Sequence, residues 1–255
     1  MQNNAQAANR SAIYNNAALI ILSITLHAGC GGNPAIPFVY GTVRWAMEPK
    51  PFPVENLEPT ASIGVVSLLS DELHLRYDGA SVFQNRNSTE KVPQWKVDEY
   101  VANLAAIILA SRSTYRVGVI DNHGIMNPVS GRILTYIPIF ERAEKQGFDT
   151  VIVIRPFDSA KSNYFDGGYG LWDSSGWKSV QSHCAYSWVV ADAWDVGTKD
   201  KIGYKHSKTC ERDESIKVMD QMADYSATEQ VRLERLVKKS LISSTNSAIR
   251  KLGLY

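Results

Sequence analysis

Apolar and polar positions follow three patterns along this chain, and two of them predict β-strands. Ile63–Leu69 and Thr150–Ile154 are continuous apolar runs, which are typical of strands covered on both faces of a sheet. Glu72–Tyr77 alternates instead, which indicates a strand with one buried face. Because only a short turn separates them, Ile63–Leu69 and Glu72–Tyr77 are predicted to pair as a hairpin.

Helical spacing of apolar residues is the third pattern. It predicts a helix over Val97–Ser111 and another over Ile133–Gln146, which Gly147 ends as a C-terminal cap. A third helix begins at Ser226, where Ser-Ala-Thr-Glu forms a capping box with Glu229.

Further strands are predicted at Tyr115–Ile120, Cys184–Asp195 and Lys201–His206, so the elements follow the order β-β-α-β-α-β-β-β-α. The segments Gly79–Gln94 and Ser159–Gln181 are predicted as loops. Alternating strands and helices, then a long hairpin and a covering helix, predict the α/β class: a central mixed β-sheet with helices packed on it.

The first part of the chain has a different pattern. Ala17–Ala28 is an apolar run of twelve uncharged residues, preceded by polar residues and one cation, Arg10. A spanning helix needs about 20 apolar residues, so this run matches the apolar core of a secretory signal. The segment that follows is rich in proline, which disfavours regular helix. The predicted organisation is a signal peptide at 1–29, a tether at 30–61 and one α/β domain at 62–255.

The end of this apolar run resembles the signals of bacterial lipoproteins. The residues L-H-A-G-C, which end at Cys30, place a thiol directly after small residues, although His27 stands where an apolar residue is usual. The resemblance implies that Cys30 is acylated and anchors the chain to a membrane. Gly31 after the cysteine implies the outer membrane, with the domain facing the periplasm. The alternatives are a cleaved signal followed by a chance cysteine, or a buried apolar helix.

Charge and motifs exclude several classes of function. Outside the predicted signal the chain carries 26 basic and 26 acidic residues, whereas a nucleic-acid-binding protein needs a basic excess. Glycine-rich phosphate loops, a G-x-S-x-G elbow, H-E-x-x-H and paired C-x-x-C motifs are absent from the sequence. No cofactor, metal or nucleic-acid partner is predicted.

Two cysteines, Cys184 and Cys210, lie in the predicted domain, and an exported protein meets a compartment where disulfides persist. If the loop of the last hairpin has three residues, Asp195 lies opposite Lys199, and the same register places Cys184 opposite Cys210. Directly opposed residues have Cβ atoms about 4.5–5.5 Å apart or closer, so a bridge is feasible at a narrow pair. The alternative is a β-bulge that shifts the register and leaves two free thiols.

One group of residues is placed for catalysis. Asp121 and His123 follow the predicted strand that ends at Ile120, and Asp158 follows Thr150–Ile154. Ligand sites in open α/β sheets lie beyond the carboxyl ends of strands. These three side chains are therefore predicted to converge as a metal or general-base site, as in a periplasmic hydrolase. In the alternative interpretation, Asp121 starts a turn and His123 is an ordinary loop histidine.

The order of elements resembles lipoprotein domains that share the fold of the TolB N-terminal domain and of the curli-secretion lipoprotein CsgG. Asp149–Ile154 matches the D-x-V-[IL] strand of that family, and Asp195–Lys199 resembles its D-x-x-T-x-K hairpin turn, without the usual T-G-K. The resemblance covers residues 62–252. It implies a non-catalytic envelope adaptor or assembly component and identifies no partner. We predict that the chain binds a protein or a cell-wall glycan.

The predicted loop Ser159–Gln181 is the candidate for that binding. Loops beyond about 12–15 residues without structure of their own are usually functional or disordered, and this one is too aromatic to be disordered. Tyr and Trp are also enriched in binding hot spots. The alternative is that the rings cover an open edge of the sheet. The predicted partner-binding residues are Tyr164, Phe165, Tyr169, Trp172 and Trp177, of which Trp172 or Trp177 is expected to be exposed.

Overall fold

The structure, a computed structural model, describes residues 62–111, 114–125, 133–158, 166–174 and 183–254, which belong to one compact unit. The strands are β1 (Ser62–Ser67), β2 (Glu72–Tyr77), β3 (Arg86–Lys91), β4 (Arg116–Val119), β5 (Thr150–Pro156), β6 (Gly168–Asp173), β7 (His183–Asp195) and β8 (Lys201–Arg212). The helices are α1 (Val97–Ala110), α2 (Ile133–Lys145) and α3 (Ala227–Leu252), and 3-10 turns lie at Val82–Gln84, Pro93–Trp95 and Met222–Asp224. The predicted α/β class, a mixed sheet with helices packed on it, is confirmed.

The sheet is organised around β7. Its strand order is β3-β2-β6-β7-β5-β1-β4, and β8 pairs with β7 in addition. The first half of β7 pairs with β6 and the second half with β5, both antiparallel, while β8 follows the other edge. The sheet therefore divides into a β6 branch, with β2 and β3, and a β5 branch, with β1 and β4.

The predicted hairpin between the first two strands is wrong. β1 lies between β4 and β5, parallel to both, so neither of its edges is free for β2. β2 instead pairs with β3 and β6 in the other branch. β3 lies within the predicted loop Gly79–Gln94. Its polar sequence RNSTEK suits an edge strand with mostly exposed side chains, which apolar periodicity does not detect.

The β5 branch is covered by helices on both faces, as the unbroken apolar sequence of β5 predicts. Ile152 and Ile154 belong to a core cluster with α1 and α3. Val151 and Val153 belong to a second cluster with α2 on the opposite face. All residues of Thr150–Ile154 are buried.

The helix ends match their sequence signals. Glu229 N donates to Ser226 Oγ (3.3 Å), and Ser226 N donates to the Glu229 carboxylate (2.8 Å), so the predicted capping box of α3 is confirmed. Gly147, with φ of 71°, follows the end of α2 as predicted. α2 contains Pro138 in its interior and continues to Lys145. Within the described residues, no helix is both long and apolar enough to cross a membrane.

α3 packs on the β7–β8 hairpin through hydroxyl groups as well as apolar side chains. Ser187 Oγ lies 2.8 Å from Ser240 Oγ and 2.7 Å from Ser244 Oγ, and all three residues are fully buried. Thr209 on β8 completes the network by donating to the Ser240 carbonyl (2.9 Å). Small hydroxyl side chains allow a close approach of helix and sheet while each polar group keeps a partner.

Candidate functional site

The three residues predicted to converge at the strand ends are not assembled into a metal site. Asp121 Oδ1 accepts a hydrogen bond from His123 N (3.0 Å), so this carboxylate closes its own turn. Asp121, His123 and Asp158 are all exposed. Within the ranges that the structure describes, no group of three His, Cys, Asp or Glu side chains is placed to hold a metal ion. The hydrolase hypothesis gains no support from this geometry.

A different carboxylate, Asp98, occupies the end of β1. One of its oxygens accepts hydrogen bonds from Ser67 Oγ (2.8 Å) and Leu69 N (2.6 Å), and the other accepts one from Asn122 Nδ2 (3.0 Å). Burial raises the pKa of Asp98 above 3.8, against the lowering effect of these hydrogen bonds. The network ties α1 to β1 and to the loop after β4. Sequence reasoning does not single out Asp98, because acidic residues are common in the first turn of a helix.

Cys184 and Cys210 form a disulfide with a Cα–Cα distance of 5.5 Å, so the predicted bridge is confirmed. The register behind that prediction is wrong. The bridge joins a diagonal pair, because Cys184 lies opposite Arg212 and Cys210 lies opposite Tyr186.

The register differs because of the hairpin turn. Asp195 N donates to Asp200 O (3.0 Å), so the loop has one residue more than predicted. A β-bulge then leaves Ile202 without a partner on β7. Together these two irregularities shift β8 by two positions. A shift of two keeps every side chain on its face, which is why the cysteines still meet.

The predicted aromatic loop contains β6, a central strand. β6 pairs with β2 on one side and with β7 on the other. Tyr169 is 1% exposed and donates its hydroxyl hydrogen to Ser70 O (3.0 Å), so it belongs to the core and not to a binding surface. Trp172 is half-buried, and its Nε1 donates to Asp78 Oδ2 (2.7 Å). The other three predicted binding residues lie outside the described part of the chain: Tyr164, Phe165 and Trp177.

A glycine in β6 makes room for an aromatic ring. Gly170 lies opposite Tyr186, and a Cβ atom at Gly170 would lie 2.2 Å from His74 O and 2.8 Å from the Tyr186 ring. The Tyr186 ring therefore lies across the backbone of β6, where only glycine fits. Glycines that indicate a flexible loop in the sequence serve close packing in the sheet.

Aromatic rings from β6, β7 and the end of β5 line the sheet face on the α2 side, beyond the part of that face that α2 covers. Phe157 and Trp188 stack with ring centroids 4.1 Å apart and an interplanar angle of 6°. The ring of His206 lies 5.0 Å from Phe157, and Lys208 Nζ lies 5.3 Å from the centre of the Trp188 ring. We call Phe157, Trp172, Trp188, His206 and Lys208 the aromatic face.

The aromatic face combines flat rings with cations. Trp172 and Trp188 are half-buried, whereas His206 and Lys208 are exposed. Partial burial lowers the pKa of Lys208. Tryptophan is among the residue types most enriched in binding hot spots, and this face presents two, Trp172 and Trp188. Apolar periodicity predicts β5, β7 and the first part of β8 but not β6, so it does not show that their rings share one face.

A buried ion cluster lies under α2 at the other end of the same sheet face. Asp192 is fully buried, and its two oxygens contact Arg155 Nε (2.5 Å) and Lys201 Nζ (2.9 Å). The ring of Tyr136 packs against that of Trp194 beside this cluster, with centroids 5.0 Å apart. Each charged member comes from a different strand, so the cluster joins β5, β7 and β8.

Comparisons with known proteins give the chain no family. No protein-family model and no curated protein matches it. Among solved structures, the PelC dodecamer from Paraburkholderia phytofirmans is similar at 10% identity and a TM-score of 0.32, over 76% of this chain and 93% of that one. Protein XCC0632 from Xanthomonas campestris is similar at 6% identity and a TM-score of 0.39, over 76% of this chain and 84% of that one.

A third similar structure is hypothetical protein CT253 from Chlamydia trachomatis, with 9% identity and a TM-score of 0.34, over 73% of this chain and 98% of that one. Identities and TM-scores this low carry no conclusion about function. The resemblance to the TolB and CsgG domains stays a prediction.

Proposed function

We propose that this chain is a non-catalytic lipoprotein of the bacterial cell envelope that acts as an adaptor and binds an envelope partner through its aromatic face. The Cys184–Cys210 disulfide is the observation that carries the proposal. Disulfides persist in exported proteins and are rare in reducing compartments. An exported protein is what the apolar run before Cys30 also predicts.

Anchoring by Cys30 supplies the link to the membrane. Cys30 and residues 1–61 lie outside the described residues, so this part of the proposal rests on the sequence alone. Several acyl chains on one cysteine give stable anchoring, whereas a single chain binds only reversibly. We place the anchored domain at the outer membrane, facing the periplasm.

Binding accounts for the described surface better than catalysis does. The strand-end residues predicted for hydrolysis are exposed, and one of them closes a turn. The aromatic face instead offers Trp188 and Lys208 beside each other on one sheet surface. Rings and cations of this kind suit capture of a partner surface and need no reacting group.

The anchor is tested by fractionating cells and measuring intact mass. The parent chain is expected in the membrane fraction, with residues 1–29 removed and a mass increase that matches acylation of Cys30. Cys30→Ser is expected in the soluble fraction. An unmodified Met1 on protein from cells would end the proposal of a lipid anchor.

The binding surface is tested by charge reversal. Lys208→Glu is expected to lose the partners that the parent chain captures from detergent-solubilised envelopes, measured by mass spectrometry. Lys145→Glu is the matched control, because Lys145 is exposed on α2 and lies outside the aromatic face. Equal capture by both variants would remove the aromatic face from the proposal, whatever the result for the anchor.

A further inference from the structure

The outer surface of α3 carries a stripe of exposed apolar and basic residues. Val231, Arg235, Lys238 and Ile242 follow one another at spacings of four and three residues, which places them on one side of the helix. Val231 is 57% exposed and Ile242 is 40% exposed. Lys239 lies next to them, and we call these five residues the α3 stripe.

The stripe borders an open groove between α1 and α3. The groove has a volume of about 490 Å³ and is lined by the five stripe residues, by Glu234 and by Tyr100 of α1. Lys238 Nζ lies 5.0 Å from the centre of the Tyr100 ring. The opposite side of α3, with Leu233, Val237 and Leu241, is buried against the sheet. α3 therefore buries one apolar side against the sheet and leaves Val231 and Ile242 exposed among cations on the other side.

Positive charge is concentrated on this helix. The sequence of α3 contains six basic and two acidic residues, whereas the whole chain has a net charge of +1. Two acidic groups face the stripe: Glu234 pairs with Lys238 (2.6 Å), and Glu211 of β8 pairs with Lys239 (2.8 Å). Within the described residues Arg235 forms no ion pair, so the stripe keeps a positive excess.

We propose that the α3 stripe contacts the anionic lipid headgroups of the membrane and so fixes the orientation of the domain on that surface. Exposed aliphatic side chains flanked by Lys and Arg on one helix face are typical of helices that lie at a membrane surface. Basic residues near an anionic surface each contribute about fivefold to binding. The stripe alone is expected to bind only weakly and reversibly, which a lipid titration can measure, so stable attachment of the domain rests on the proposed lipid anchor.

Charge also decides between a membrane and a second copy of this chain. In a twofold-symmetric dimer the same patch faces itself, which brings the cations of the two copies, Arg235, Lys238 and Lys239, into one interface. Like charges brought together in an interface are strongly unfavourable. An anionic surface complements the same residues.

The test uses a fluorescent label in the full chain without its acylation site. In a Cys30→Ser background, Ile242→Cys is labelled with an environment-sensitive NBD group, and Glu144→Cys carries the same label as the control. Glu144 is exposed on α2, on the opposite face of the sheet from α3. With vesicles of phosphatidylglycerol and phosphatidylethanolamine at low salt, the label at 242 is expected to brighten and shift to shorter wavelength. The label at 144 should not change.

Charge reversal separates the electrostatic contribution. Adding Arg235→Glu should weaken the vesicle response at 242 about thirtyfold, since it changes the charge by two units. Lys145→Glu, an equal change on α2, should leave the response within a factor of about two, because its charge lies across the sheet from the membrane. Phosphatidylcholine vesicles or about 0.5 M salt should abolish the response.

Three results would overturn the proposal. Equal responses at 242 and 144 would show adsorption through another part of the chain. A response at 242 that survives in neutral vesicles would show that charge plays no part. A response that depends on protein concentration without vesicles would assign the stripe to self-association. Because the label test uses Cys30→Ser, a negative result would refute the membrane contact of the stripe without bearing on the acylation of Cys30. The intact mass of protein from cells tests that acylation separately.

Discussion

Replacing Asp192 by asparagine tests whether the buried ion cluster holds the β7–β8 hairpin in place. Asp192 is fully buried, and the Arg155 side chain that contacts it is only 12% exposed. Burial lowers the pKa of Arg155, but the charge and hydrogen bond of Asp192 outweigh that effect and raise it. Asp192→Asn keeps the shape of the side chain and removes the charge, so Arg155 is left as a buried cation without an anion.

The size of the effect follows from the exposure of the two cations. Breaking a buried ion pair by removing one partner costs about 3–5 kcal/mol. We expect about 3 kcal/mol for Asp192→Asn, because the amide oxygen still accepts one hydrogen bond. Lys201 is 27% exposed and lies 4.8 Å from the centre of the Trp194 ring. Because Lys201 can reach solvent, Lys201→Met should cost only about 1 kcal/mol.

Urea unfolding measures both variants. Asp192→Asn should lower the midpoint while leaving the slope unchanged, since the surface exposed on unfolding is the same. In a thermal scan, the melting temperature should fall by about 6–12 °C for a domain of this size. The reasoning is wrong if Asp192→Asn stays within about 1 kcal/mol of the parent, or if Lys201→Met costs more than Asp192→Asn.

Two other predictions concern packing and pH. Gly170→Ala should destabilise the protein by about 1–3 kcal/mol in urea, because its Cβ would overlap backbone. Gly197→Ala, whose Cβ would meet only Asp195 Oδ1 at 3.5 Å, should cost less than about 0.5 kcal/mol, and equal costs would contradict the packing argument. Asp98 has a raised pKa in the folded state, so its favourable contribution is complete below pH 3.8 and is lost as the pH rises through the folded-state pKa. The stability advantage of the parent over Asp98→Asn should therefore be larger at pH 3.5 than at pH 7, and the opposite trend would refute the assignment.

The sequence predicts those elements whose apolar pattern is determined locally. β5 is recognisable because both of its faces are buried, and α3 because its cap and its apolar side are encoded within a few residues. β3 and β6 carry no such pattern. β3 is an exposed edge strand, and β6 contains Gly168 and Gly170, which lower β-propensity. Their positions depend on pairing with β2 and β7, which no local pattern encodes.

The candidate site, too, is predictable from the sequence only where a local pattern determines it. Cys184 and Cys210 could be paired from the sequence because a shift of two residues preserves the face of a strand. The aromatic face could not be predicted, since Phe157, Trp172 and Trp188 lie on three chain segments that meet only in the sheet. The length and aromatic content of the predicted loop group Tyr169 with Trp172, whereas alternation along β6 directs the Tyr169 ring into the core.

The two proposed surfaces lie on opposite sides of the sheet, so both can be occupied at once. The α3 stripe lies on the outer side of the helix that covers one sheet face, whereas the aromatic face lies on the other. The predicted tether has 32 residues, a length that could span up to about 110 Å, so it alone would not orient the domain. Contact between the stripe and the membrane would supply that orientation and turn Trp188 and Lys208 away from the lipid. If the stripe orients the domain, Arg235→Glu in the anchored chain should reduce partner capture while the protein stays in the membrane fraction. Unchanged capture would show that the partner binds without a fixed orientation.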